Sequence, residues 1–200
     1  MGASETSRGR EPRESGAKVK GTLIVTLKKF LRAKGIDPEV VIVRLPPPDR
    51  EVLRGILLPS GWYAADMFAR FVEDAAAVAS SGGVKDCLLE MGRFSAQTNL
   101  GPGGLRRAYI RQGDPHHVLA AISRIYATVY SLGSRSYERA GECSAIIRGH
   151  GTRFAHDHCT WVSGWLQGVV ELSGGKEVRV IEVQCEGSHA PHCEYRVDWK

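Results

Sequence analysis

The sequence predicts an α+β domain in which a helical N-terminal half is followed by the element order ββαββ. Apolar residues recur at helical spacing as far as Ser131, and short β-rich runs replace this pattern after Gly133. The chain then ends in two more β-rich runs joined by a polar turn. Strands in this order predict an antiparallel sheet whose apolar face packs on the helices.

Length and composition indicate one domain. The 200 residues suffice for a buried core, and 42% apolar with 24% charged residues is ordinary for a globular protein. Residues 1–20 are rich in Gly, Ser, Arg and Glu, which predicts a disordered tail and a single domain over residues 21–200. Five cysteines without regular spacing, and no long apolar run, indicate a cytoplasmic protein with no membrane span.

The net charge of +5 does not predict nucleic-acid binding. Residues 1–20 hold five basic and three acidic side chains, so +2 of that charge lies in the predicted tail. The remaining +3 is spread over 180 residues, without a basic reading helix or interleaved exposed aromatic residues. A solvated basic surface explains this pattern, so nucleic acid is not an expected partner.

Four helices are predicted before residue 100. Gly35 ends the first, whose apolar face is formed by Leu23, Leu27, Phe30 and Leu31. Prolines at 46–48 break the chain before a short helix. Ser60 is a suitable cap for a helix running to about Ala79, and another helix spans Val84 to Asn99.

A glycine-rich linker precedes the last helix of the N-terminal half. The G-P-G-G segment at 101–104 lacks the Lys-Ser/Thr ending of a phosphate-binding loop. Asp114 and Pro115 begin a helix that is predicted to reach Ser131. Its apolar stripe consists of Val118, Leu119, Ile122, Ile125, Tyr126 and Val129. The stripe belongs either to the core or to the wall of a pocket.

The C-terminal part predicts the sheet. Two strands are expected at Ser136–Ala140 and Ser144–Gly149, followed by a helix from about Asp157 to Ser173. A hairpin of Val178–Val183 and Glu194–Trp199 completes the chain.

Four potential metal ligands follow the spacing C-x22-E-x2-C-x7-C: Cys159, Glu182, Cys185 and Cys193. Three thiolates and a carboxylate can complete a closed structural zinc site with no position for a catalytic water. Strand alternation places Glu182 and Cys185 on opposite faces, so four histidines are rival fourth ligands: His156, His158, His189 and His192. Free buried thiols are the alternative to a metal.

This spacing, with the ending C-E-G-S-H-A-P-H-C-E-Y-R-V, resembles the zinc-bearing 4-vinyl reductase domain of phenol-responsive bacterial transcription activators. The segments VVIVRLPPPDREVLRGILLPSGWY, LLEMGRFSAQ and GWLQGVVELSGG resemble myxobacterial paralogues that are similar to the same domain throughout. The resemblance implies a structural Zn²⁺ on the four residues above, a sensory role and a homodimer. Gly164 and Gly168, one helical turn apart, permit close backbone approach and could serve a dimer contact or a tight sheet.

Five aromatic residues are predicted to line an apolar cavity beside the hairpin: Tyr126, Tyr130, Phe154, Trp161 and Trp165. The alternative is that they only fill the core. Together with the resemblance, they predict a zinc-stabilised, non-catalytic sensory or regulatory domain that binds an uncharged apolar or aromatic small molecule. Such a domain would signal through a separate protein partner or an oligomeric change.

Three other functions are alternatives to this one. A ligand-free protein–protein interaction module of the same domain type is the main alternative. An enzyme is not expected, because His158 and Cys159 are neighbours in sequence and would diverge on a helix. A haem gas sensor is conceivable, since haem-nitric-oxide domains are distantly similar to the 4-vinyl reductase domain. However, the Tyr-x-Ser-x-Arg signature of the haem domains is absent, because Tyr130-Ser-Leu-Gly-Ser-Arg135 has another spacing.

Overall fold

A four-stranded antiparallel sheet and a surrounding group of helices make up the fold, which confirms the predicted α+β class. The computed structural model describes residues 16–151 and 156–200, apart from the side chains of residues 156 and 157. Within these ranges no helix is long and apolar enough to cross a bilayer.

The N-terminal half contains five helices and a small two-stranded sheet within the described residues. Strand β1 covers Lys18–Lys20 and β2 covers Trp62–Ala64. The helices are α1 (Gly21–Ala33), α2 (Glu39–Ile42), α3 (Pro47–Arg54), α4 (Ala65–Ala79) and α5 (Val84–Leu100).

The small sheet changes the start of α4. Ser60 was predicted to cap this helix, but residues 62–64 instead pair antiparallel with residues 18–20, with Val19 opposite Tyr63. Strand pairing uses the backbone groups that a helix would need, so α4 begins only at Ala65. Val19 is fully buried, although the sequence had placed it in the disordered tail.

The helix predicted from Pro115 to Ser131 divides into α6 (Pro115–Ala120) and α7 (Ile122–Ala127). The Asp114 carboxylate caps α6 as expected, accepting a hydrogen bond from the His117 amide at 3.1 Å. The chain leaves the helix before Val129, whose carbonyl accepts from the Lys20 amide at 2.9 Å. This long-range backbone contact with β1 ends the helix earlier than its apolar stripe predicts.

The main sheet has the strand order β3-β4-β6-β5, and every neighbouring pair is antiparallel. Helix α8 connects the two hairpins, and a register shift between Glu182 and Gln184 bulges the edge strand. The elements are β3 (Ser134–Arg139), β4 (Ser144–His150), α8 (His156–Leu172), β5 (Arg179–Gln184) and β6 (Cys193–Asp198).

Three glycines allow the backbones of α5 and α8 to touch. A Cβ on Gly92 would lie 2.1 Å from the Trp161 carbonyl oxygen, and one on Gly164 would lie 2.1 Å from that of Leu89. A Cβ on Gly168 would come within 2.8 Å of the Ala96 side chain. Gly164 and Gly168 therefore serve this internal contact, which leaves their face unavailable to a second chain.

Two hydrophobic clusters meet along this helix pair. One cluster joins α1, α4 and the start of α5, and the other joins α6, α7 and α8 to the inner face of the main sheet. Trp165 packs against both clusters. The junction between the two clusters is where the cavity described below lies.

Replacing Gly92 by Ala should destabilise the protein, because the added methyl group meets backbone atoms of Trp161 and Trp165 that cannot move independently. We expect a loss of about 1–3 kcal/mol in the free energy of unfolding, as for other overpacked interiors. Urea denaturation followed by circular dichroism measures this loss.

Gly82→Ala is the matched control, since nothing lies within 4 Å of its Cβ position. A Gly92→Ala variant as stable as this control would show that the two helices can separate without cost.

Candidate functional site

A partly enclosed apolar cavity of about 70 Å³ lies at the junction of the two clusters. Its walls come from α1, α5, α7 and α8, and the apolar lining includes Leu23, Leu100, Ile122, Ile125, Val129 and Val162. The stripe that the sequence assigned either to core or to a pocket wall thus contributes to both. Val118 and Leu119 are buried in the second cluster, whereas Ile122, Ile125 and Val129 face the cavity.

Four of the five aromatic residues predicted as ligand-binding line this cavity: Tyr126, Tyr130, Trp161 and Trp165. Phe154, the fifth, lies outside the described residues. Tyr126 and Tyr130 are stacked with ring centroids 4.6 Å apart, and the Tyr126 hydroxyl donates to the Leu132 carbonyl at 2.8 Å. Burial raises the pKa of Tyr126 to about 12, so its phenol is neutral at physiological pH.

Arg135 brings a buried cation to the cavity, although sequence reasoning did not single it out. It lies on β3 directly opposite Gly149 on β4, and its side chain is only 5% exposed. A Cβ on Gly149 would come within 1.8 Å of the Arg135 guanidinium, so glycine here lets the guanidinium keep this position. The guanidinium lies 4.7 Å from the centre of the Tyr126 ring.

His158 is the one histidine among the described lining residues. Burial, assisted by the nearby charge of Arg135, lowers the pKa of His158 to about 3, so its imidazole is neutral at physiological pH. Its ring meets the Tyr130 ring edge-on, with centroids 5.8 Å apart. Cys159, the next residue, points away from the cavity toward the hairpin.

Arg106 lines the same cavity, and the glycine-rich linker positions it. A Cβ on Gly104 would lie 2.5 Å from the Asn99 carbonyl oxygen, so the glycine lets the chain turn back closely onto the end of α5. The Arg106 amide then donates to the Asn99 carbonyl at 2.9 Å. Its Nε donates to the Thr128 hydroxyl at 3.1 Å. Burial lowers the pKa of this guanidinium.

Three of the four predicted metal ligands lie together where α8 meets the terminal hairpin. The sulfur of Cys159 is 3.2 Å from that of Cys185 and 3.6 Å from that of Cys193. All three thiols are buried, and the amides of Glu186 and Gly187 point at the two hairpin sulfurs, Cys193 and Cys185 respectively, at 3.4 and 3.3 Å. Contact with Cys193 and burial raise the pKa of Cys159, and burial raises that of Cys185.

No fourth ligand joins these thiols among the described residues. The group of potential ligand atoms within 4.8 Å of one another contains only the three cysteines. Glu182 lies outside that group, although its side chain forms a hydrogen bond with the Cys185 thiol. His158 lines the cavity, the His192 ring contacts Gln184 at 2.7 Å, and the side chain of His156 is not described. His189 sits on the turn with a left-handed backbone, φ 67°.

Solved structures with the same arrangement of helices and sheet are H-NOX proteins. One from S. oneidensis in the Fe(II)NO ligation state has a TM-score of 0.67 at 15% identity, covering 90% of this chain and 99% of that chain. An H-NOX domain from Shewanella oneidensis in the Fe(II)CO state has a TM-score of 0.69 at 16% identity, covering 90% and 98%. A structure from work on heme distortion in the H-NOX family has a TM-score of 0.65 at 16% identity, covering 90% of this chain and 95% of that chain. These likenesses show a shared fold.

The comparisons correct two expectations from the sequence. The fold neighbours are H-NOX proteins, so the assignment to a 4-vinyl reductase-like domain was wrong. The descriptions of those structures name Fe(II) ligation states and heme, which is a different cofactor chemistry from zinc. The three thiols also lack the fourth ligand of the predicted closed site within the described residues. The expectation of a structural zinc ion was therefore wrong.

Sequence comparison identifies the family. No curated protein sequence matches the chain. Residues 57–200, which are 144 of the 200 residues, match the family described as Protein of unknown function (DUF2378). The match runs from the turn before β2 to the C-terminus, and so includes α5, α8, the main sheet and most of the cavity. The chain therefore belongs to the DUF2378 family.

Proposed function

We propose that the protein is a non-catalytic sensory domain that binds a small molecule with an apolar or aromatic body in the cavity between its two hydrophobic clusters. The single observation that carries this proposal is the cavity itself, whose walls are mostly aliphatic and aromatic. Small-molecule sites usually combine such walls with a few polar groups that fix orientation. Here the polar groups would be Arg106, Arg135 and His158.

Affinity would come mainly from removing apolar surface from water, at about 25 cal/mol per Å². The volume of about 70 Å³ limits what can enter without side-chain movement. An engineered apolar cavity of about 150 Å³ is known to hold benzene. The ligand should therefore be slender, or its aromatic part should displace a lining side chain.

The position of the cavity suits signalling. Helices α5 and α8 contribute to both clusters and form one rigid pair, so a ligand beside this pair would favour one position of α1 and α7 against it over another. A separate protein partner, or a second copy of the chain, would then read this change. The homodimer stays a prediction, and its interface must lie away from Gly164 and Gly168, which α5 covers.

The proposed function includes no catalytic activity. His158 and Cys159 are adjacent on α8 and point about 100° apart, with His158 toward the cavity and Cys159 toward the hairpin thiols. They cannot act together on one substrate, because a nucleophile and its base must lie within hydrogen-bonding reach. The raised pKa of Cys159 also keeps it in its less reactive thiol form.

The H-NOX neighbours raise haem as a ligand, but the described residues do not fit it. Protein pockets for drug-sized ligands measure about 300–1,000 Å³ and a porphyrin is no smaller, whereas this cavity measures about 70 Å³. The stacked pair Tyr126 and Tyr130, together with Trp161, forms walls where a flat macrocycle would need a slot. A haem iron usually needs a histidine or another side-chain ligand. His116, on α6, is outside the cavity lining, and its ring nitrogens form hydrogen bonds with the Glu142 carbonyl at 2.7 Å and the Tyr137 hydroxyl at 2.8 Å.

A protein–protein interaction module is the second candidate function, and one surface favours it. Ile56 is 92% exposed and Leu58 is 58% exposed on the turn after α3, and Val52 on α3 is also exposed. Apolar side chains so close in sequence and open to solvent are typical of contact surfaces. A protein without any cavity ligand would act through this surface alone.

Filling the cavity should abolish ligand binding. We expect some compounds in a set of small alkanols and substituted benzenes to raise the melting temperature of the wild-type protein. Binding at a hundredfold excess over Kd stabilises a fold by about 2.7 kcal/mol. In Val129→Phe the added ring would occupy the cavity, so the same compounds should give no shift in differential scanning fluorimetry.

Val43→Phe is the control for that variant, because Val43 is exposed and far from the lining. It should retain the wild-type response. A response that survives in Val129→Phe, or is absent from the wild-type protein, argues against a ligand in this cavity and for the interaction module.

Haem should not bind stoichiometrically. Titration of the purified protein with haemin, followed by absorption spectroscopy, should give no saturable Soret band at one haem per chain. The reason is the small cavity and its stacked tyrosines. A band that saturates at one equivalent, and that shifts when His158 is replaced by Ala, would contradict this expectation.

A further inference from the structure

We propose that the ligand is an amphipathic carboxylic acid, and that Arg106 holds its carboxylate while its apolar part fills the cavity. This inference rests on the proposed function, because it assigns a ligand class to the same cavity. It replaces the uncharged ligand that the sequence had suggested.

The charge of the lining is the first observation. Among the described lining residues two are arginines, Arg106 and Arg135, and none is acidic. The other members are aliphatic, aromatic or neutral polar side chains. The positive charge of Arg106 favours an anion at the wall of this apolar cavity, and the low-dielectric surroundings strengthen that attraction. An anionic group is therefore the favoured polar part of a ligand.

The environment of Arg106 is the second observation. Most of the arginines with described partners form ion pairs, as Arg70 does with Asp49 at 2.7 Å. Arg106 has no carboxylate within 4.0 Å among the described residues, and its one side-chain hydrogen bond is the donation from Nε to Thr128. Its two Nη groups therefore keep their donors available to a ligand. The side chain is half-buried, so a bound carboxylate would give a charge-assisted partner to a guanidinium that is only partly exposed to water.

The fixed orientation of Arg106 is the third observation. Its backbone is tied to the Asn99 carbonyl at the end of α5, and its Nε to Thr128 at the end of α7. A guanidinium held by Nε presents its Nη groups together, in the planar geometry that matches a carboxylate. The side chain is half-buried, so it lies between solvent and the aliphatic lining. A ligand with a carboxylate at one end and an apolar tail at the other could place the carboxylate at the guanidinium and the tail against the aliphatic lining.

Arg135 has a different part in this arrangement. It is buried deeper than Arg106 and packs over the Tyr126 ring. Its guanidinium interacts with other groups of the protein, so no contact with the ligand is assigned to it. Arg106 is thus the residue whose replacement should change the preference for an acid over its neutral analogue.

The test compares acids with their amides, which have nearly the same shape. Hexanoate with hexanamide, and phenylacetate with phenylacetamide, are titrated into the full-length protein at pH 7.5 and low salt. Fluorescence is a suitable readout, since Trp161 and Trp165 line the cavity, and calorimetry confirms the affinities. Because hydrogen bonds to charged groups are the strong ones, each acid should bind roughly tenfold or more tightly than its amide.

Variants assign that preference to one residue. Arg106→Gln should bring the ratio of acid to amide affinity close to one, and Arg106→Lys should retain part of it. Arg124→Gln is the matched control, because Arg124 is exposed on α7 and outside the lining. It should retain the full ratio. Melting temperatures show whether each variant is folded. If Arg106→Gln is unstable, Arg106→Lys decides the question: a reduced ratio of acid to amide affinity supports the proposal, and an unchanged ratio contradicts it.

The outcomes separate this inference from the proposed function. If the amides bind as tightly as the acids and Val129→Phe abolishes both, the cavity is a ligand site but the carboxylate assignment is wrong. If the preference for acids persists in Arg106→Gln, Arg106 is not its source and the inference fails. If neither acids nor amides bind the wild-type protein, the inference and the proposed function both fail.

Discussion

The direct backbone contact between α5 and α8 is the constraint on which the rest of the structure depends. Gly92, Gly164 and Gly168 bring the two helices closer than any side chain on that face would permit. Both hydrophobic clusters pack against this pair. The cavity occupies the space beside the contact, so its width is set by glycines that are not part of its lining. Backbone contact of this kind is rigid, because no side-chain rotamer can adjust it.

Helix α8 separates two chemically different environments. One side, through His158, Trp161 and Trp165, faces the cavity. The other side, through Cys159, meets Cys185 and Cys193 and so attaches the helix to the terminal hairpin. Two residues that adjoin in sequence thus have unrelated roles, because a rotation of about 100° separates neighbours on a helix. That His158 and Cys159 are neighbours in sequence therefore does not indicate that they act together on a substrate.

The likeness to H-NOX proteins concerns the fold, whereas the cavity of this chain has its own chemistry. Tyr126 and Tyr130 stack against each other, and Arg135 passes over Gly149, so side chains occupy much of the space between helices and sheet. Arg106 places a positively charged group on the wall of the remaining space. A smaller ligand with an anionic group is a better match to these residues than a macrocycle.

The amino-acid sequence by itself determined the α+β class, the approximate positions of the major helices and strands, and the aromatic residues that lie around the cavity. These features follow from local periodicity and from capping residues such as Asp114. Only the tertiary structure decided that residues 62–64 pair with 18–20, that α7 ends before Val129, and that Gly164 packs inside the molecule. It also decided that Arg106 and Arg135 share one cavity although they come from a linker and a strand. These are contacts between residues far apart in sequence, and a local pattern cannot encode which distant backbone or charge a residue will meet.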